Sequence, residues 1–146
     1  MRVLLAFVSA ALIGCSSSSS GTSAPAQVTK SIGPEGGQIQ VDGATVTFAA
    51  NAVASAQSIT IAASSDPPPD GFVALSKVYK CDPSGLNFAA QVTMAMQFTG
   101  DNSPVTMFWS SGADPTFKEL SGVSTSGNVM TATIQHFSSG FIGRKK

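Results

Sequence analysis

The stretch "GPEGGQIQVDGATVTFAA" (residues 33–50) reads as a glycine-rich turn, a strand at 38–41, an Asp42-Gly43 hairpin turn and a second strand at 44–49. An Asp-Gly pair between alternating apolar and polar residues is a strong hairpin signal. The tight turns that match strand twist need positive φ at their central residues, and these residue types tolerate it. The residues that follow repeat the pattern.

"QSITIAAS" (57–64) is a third strand, with Ile59 and Ile61 on one face. "SDPPPDG" (65–71) holds three consecutive prolines, which lack N–H donors, so it is an exposed loop. "FVALSKVYKC" (72–81) is extended and "DPSGLNF" (82–88) is a turn. "VTMAMQF" (92–98) alternates cleanly, with Val92, Met94, Met96 and Phe98 on one side. "GDNSP" (100–104) closes that strand, "VTMFWS" (105–110) forms another, and "GADPT" (112–116) turns into "FKEL" (117–120). "NVMTATIQHF" (128–137) sets Met130, Ala132, Ile134 and His136 on one side, before a final short strand in "GFIG" (140–143). Seven to nine short strands at this spacing, with no amphipathic helix, predict an all-β antiparallel sandwich over residues 30–143.

The chain has 146 residues, a formal net charge of zero and 11% charged residues. That suits one domain and offers no basic stripe for nucleic acid. The one basic run, Arg144-Lys145-Lys146, reads as a solvated tail over 144–146. No G-x-S-x-G step leads from a strand into a helix, so a conventional hydrolase is not indicated. One histidine cannot build a zinc site with a single spare cysteine. Asp66, Asp70, Asp101 and Asp114 fall in turns without calcium-loop spacing, and Gly36-Gly37 precedes no helix that would cradle a phosphate. No metal and no cofactor is expected. Tyr79 and Trp109 are read as core aromatics, with stacking on a sugar or peptide as the other possibility.

The N-terminal segment is an address. Arg2 precedes an apolar run, "VLLAFVSAALI" (3–13), of signal-peptide length and too short to span a bilayer. It ends in Leu12-Ile13-Gly14-Cys15, which resembles the lipobox of bacterial lipoproteins. The resemblance implies that residues 1–14 are removed, that Leu12, Ile13 and Gly14 are read by the signal peptidase, and that the Cys15 thiol carries diacylglycerol. By the same resemblance, Ser16 implies delivery to the outer membrane. "SSSSSGTSAPAQ" (16–27) is a polar low-complexity stretch suited to a tether over 15–29. The membrane, through the lipid anchor, is then one partner. Cys81 is left without a disulfide partner and reads as a small buried hydrophobe.

The order of the strands resembles the ZU-five domain, shared by zonula-occludens protein, ankyrins and netrin receptors. The resemblance rests on "IGPEGGQIQV" (32–41), "ATVTFAANAV" (44–53), "CDPSGLNFAAQVTMAM" (81–96), "MFW" (107–109), "FKEL" (117–120) and "TIQHFSSGF" (133–141). Ala49, Asn51 and Gln91 depart from the family's Pro and Gly turn pattern. In some relatives His-Phe-Ser is a self-cleavage site. By that resemblance the Ser138 hydroxyl attacks the Phe137 carbonyl, and His136 serves as general base. The other reading makes His136-Phe137-Ser138 a structural joint, with no catalytic residue in the chain. The expected function is that of an anchored structural or protein-interaction module of the cell envelope. Self-processing between Phe137 and Ser138 is one alternative, and binding of a glycan or protein by loops 65–71 and 100–104 is the other.

Overall fold

The computed structural model describes residues 26–100, 104–111 and 114–146. Residues 1–25, with Leu12, Ile13, Gly14 and Cys15, and Asp101 in loop 100–104, lie outside them. Twelve strands form: β1 (Gln27–Ile32), β2 (Gly37–Val41), β3 (Ala44–Phe48), β4 (Gln57–Ser64), β5 (Phe72–Ala74) and β6 (Val78–Asp82) come first. Then follow β7 (Asn87–Gln97), β8 (Thr106–Ser111), β9 (Asp114–Glu119), β10 (Ser124–Ser126), β11 (Val129–His136) and β12 (Ser139–Lys145). Two antiparallel sheets pack face to face. One runs β1-β4-β6-β12-β8-β9, with β5 also on β12, and the other runs β10-β11-β7-β3-β2. The all-β sandwich read from the sequence is the fold.

The Asp42-Gly43 turn sets its hairpin in the expected register, Val41 opposite Ala44 and Ile39 opposite Val46. Gly43 has a φ of 79°, the conformation for which glycine is the low-cost residue. The alternating residues of β7 deliver Val92, Met94 and Met96 to the core, where they meet Val46 and Phe48 of β3 and Met130, Ala132 and Ile134 of β11. Ile59, Ile61, Tyr79, Cys81, Met107, Trp109 and Ile142 face them from the larger sheet. Each such fully buried side chain contributes roughly 1.5–3 kcal/mol of transfer free energy, which lets the sandwich stand without a disulfide. A smaller cluster on the outer face of the larger sheet joins Val78, Phe108 and Phe141, partly covered by Phe72 and Phe117.

Several expectations need correction. Among the described residues there are twelve strands where seven to nine were expected: β1 and β10 carry little apolar signal, and one expected segment is divided in two. The segment 72–81 divides at Leu75–Lys77 into β5 and β6, which both pair with β12. The turn expected at 112–116 already holds the start of β9, and a proline there is tolerated because β9 is an edge strand. β1 begins at Gln27, inside the expected tether. Arg144 and Lys145 belong to β12, and Lys145 pairs with Glu119 at 3.2 Å, so 144–146 is not a free tail.

Candidate functional site: the His-Phe-Ser crossover

Residues 136–139 carry the chain from β11 in the smaller sheet to β12 in the centre of the larger one. The regular pairing of β11 with β7 breaks just before. Ile134 lies opposite Val92, but His136 lies opposite Asn87. This bulge inverts the expected side-chain order. Phe137, not His136, enters the core, with no exposed surface, edge-on to Phe48 at 5.9 Å and to Phe88 at 4.9 Å between ring centres. His136 is left half-buried at the margin.

The backbone of the crossover is hydrogen-bonded at several points. Phe137 N–H donates to the Leu86 carbonyl (2.9 Å), and Gly85 N–H donates to the Phe137 carbonyl (2.8 Å). Cys81 N–H donates to the Ser138 carbonyl (2.9 Å), and the Trp109 indole N–H donates to the His136 carbonyl (3.2 Å). These bonds hold the crossover against the 82–86 turn and β6. Neither Phe137 nor Ser138 has a positive φ; the one non-glycine residue in that region among those described is Asn51.

Ser138 is 4% exposed, and its hydroxyl lies 2.5 Å from the Ser110 hydroxyl. Ser110 Oγ also accepts from Ser139 N–H (3.1 Å) and donates to the Ser139 carbonyl (3.2 Å). With that proton committed, Ser138 is the donor in the hydroxyl pair, and both buried hydroxyls are satisfied. His136 Nε2–H donates to the main-chain carbonyl of Ser110 (3.2 Å). A carbonyl oxygen only accepts, so the proton sits on Nε2 and that nitrogen is not a base in this arrangement. The structure thus brings His136 and Ser138 to one residue, Ser110, through different atoms. The imidazole is on its carbonyl and the nucleophile candidate on its hydroxyl. Ser110 and Gly85 were not singled out by sequence, and Trp109 was read only as a core aromatic; a serine ending the apolar run "MFWS" was the available signal for the first.

Elsewhere the chemistry-bearing side chains are held by neighbours. Tyr79 is buried, and its hydroxyl donates to the Asp42 carbonyl (2.8 Å). Burial, with the Asp42 charge nearby, pushes its pKa up to about 12. Lys77 pairs with Asp42. Both line a cavity of about 480 Å³ at one end of the sandwich, beside Ser64 and Asp66. Burial first, and the neighbouring Asp82 second, raise the Cys81 thiol far above its ordinary value, so it is inert. Trp109 is buried in the core. Asp66 holds the Ser64 hydroxyl (2.5 Å) and lies 3.7 Å from Lys80. Among the described residues no three His, Cys, Asp or Glu side chains converge on a metal-sized site. No protein-family model and no curated protein matches this chain.

Proposed function

We propose that this protein is a lipid-anchored, extracytoplasmic module of a bacterial envelope, with a ZU-five-like sandwich serving as a structural or interaction domain. The observation that carries the proposal is the Leu12-Ile13-Gly14-Cys15 step, set after an apolar run and before a polar stretch that gives way to β1 only at Gln27. A linker of a dozen residues has a mean reach of about 20 Å, which would keep the domain close to the bilayer. Cys81 does not compete for modification, since its thiol is buried and its anion strongly disfavoured. At His136-Phe137-Ser138 the hydrogen bonding supports the structural-joint reading. The imidazole proton and the Ser138 proton are both spent on Ser110.

Metabolic labelling with a radioactive or clickable fatty acid in a bacterial host tests the anchor. Label should enter the wild-type protein and be absent from Cys15→Ala, which should also leave the membrane fraction. Label persisting in Cys15→Ala, or absent from wild type, would reject the proposal.

A further inference from the structure

The sixteen charged side chains of the protein (8 Lys and Arg, 8 Asp and Glu) are unevenly placed. The larger sheet has Lys30, Lys80, Asp82, Asp114, Lys118, Glu119, Arg144 and Lys145 within its strands. No residue of β2, β3, β7, β10 or β11 is Asp, Glu, Lys or Arg. The outer face of the smaller sheet is instead built from carboxamides, hydroxyls and small apolar groups in cross-strand rows. One row is Gln38, Thr47, Thr93, Thr133, and the next is Gln40, Thr45, Ala95, Thr131, Ser124. Neighbours within a row lie about 4.8 Å apart, the strand spacing, which is close to the size of one pyranose ring.

A depression of about 470 Å³ lies over Thr45 and Ala95, walled by Gln40, Gln97 and Val129. The Gln97 carboxamide and the Thr45 and Thr131 hydroxyls make no hydrogen bond among the described residues, so their donors and acceptors are free for a ligand. The bond from Gln40 to Gln38 is long, 3.4 Å, and readily exchanged. Charge, hydrogen-bonding capacity and shape therefore agree on one kind of occupant. Protein-binding surfaces draw their energy from aromatic and Arg anchors, and this face presents neither. A nucleic acid or an anionic lipid would find no cation.

We infer that the outer face of the smaller sheet is a binding surface for a neutral, polyhydroxylated polymer, a linear glycan lying across the strands along the Gln40–Ser124 row with a sugar seated over Ala95. This names a partner class for the envelope module proposed above and rests on that reading for its setting. The contacts themselves do not involve the anchor. Each sugar exchanges water for amide and hydroxyl contacts, so single sugars bind weakly and affinity accumulates with chain length. With no charge on either side, binding is insensitive to salt.

The test uses the full chain in a zwitterionic detergent, titrated calorimetrically with cellohexaose and with the hexamer of N-acetylglucosamine, each beside its dimer. At least one hexamer should bind at least tenfold tighter than its dimer, with affinity unchanged between low and molar salt. Gln97→Ala should weaken binding about five- to tenfold, and Ala95→Glu should abolish it. Lys80→Ala, on the other sheet, should leave it unchanged, and thermal melting shows that each variant is folded. Absence of binding by both hexamers, or equal binding by a folded Ala95→Glu, would overturn the proposal. So would concentration-dependent self-association that Ala95→Glu removes, since the face would then belong to a second copy. Loss of fatty-acid labelling would reject the anchor while leaving these titrations unaffected, so the two readings fail separately.

Discussion

Tyr79 is the residue whose chemistry reads out the interior most simply. Its phenol is 1% exposed and donates to the Asp42 carbonyl, and its pKa in the fold is about 12 against an ordinary 10. The unfolded chain therefore ionises first as pH rises. The stabilisation is complete below about pH 10 and is lost between about pH 10 and 12, on the order of 2 kcal/mol from this one group. Tyr79→Phe should flatten that alkaline slope in urea unfolding while costing about 1 kcal/mol at neutral pH; an unchanged slope would show that Tyr79 titrates normally. Gly140 makes a steric claim of a different kind. A Cβ there would lie 2.1 Å from Trp109 Cε3 and 2.8 Å from the Phe108 carbonyl oxygen, atoms that the core holds in place. Gly140→Ala should cost roughly 1–3 kcal/mol or more, as overpacked cores do, and an unaffected melting curve would mean that the indole is free to move. Ser138→Ala, which removes one satisfied buried bond, should cost only about 1 kcal/mol. Trp109 and Tyr79 were legible as core from their strand positions. The role of His136 was not, because its parity with Ile134 is broken by a bulge that no residue type announces.

Among the elements, β12 is the one on which the larger sheet depends. It is written in seven residues near the C-terminus, yet it lies between β6 and β5 on one side and β8 on the other. A chain ending at Phe137 should fail to give a cooperative unfolding transition, since β6 and β8 would each lose their central partner and expose paired backbone groups to one another's absence. A cooperative transition in that truncation would show that the core folds without its middle strand. The sequence signalled a short strand at 140–143 but not its place in the sheet, since register with distant strands is set by packing rather than by local pattern. The same limit explains β1 and β10. β1 buries only Ile32 fully, and β10 is Ser-Thr-Ser and exposed, so neither carries a hydrophobic period to read. By contrast β4 matches its predicted bounds, 57–64, because Ile59 and Ile61 alternate with polar residues and three prolines at 67–69 follow soon after.

At the scale of the whole molecule, the sandwich divides its chemistry between two sheets. One is charged and covers an aromatic cluster; the other is uncharged and lined with amides and hydroxyls. Cys81 lies buried between them, so in the native protein it should resist a thiol reagent and react fully only after denaturation; rapid native labelling would show that the core opens. The protein proposed above is an anchored scaffold whose His136-Phe137-Ser138 step is structural. The most direct test is a denaturing intact mass of the protein taken from the membrane fraction of a bacterial host, with Ser138→Ala alongside. The expected result is a single species that begins at lipid-modified Cys15 and retains every residue through Lys146. Loss of residues 138–146 from wild type but not from Ser138→Ala would make the crossover a self-processing site, and a mass without lipid would remove the anchor.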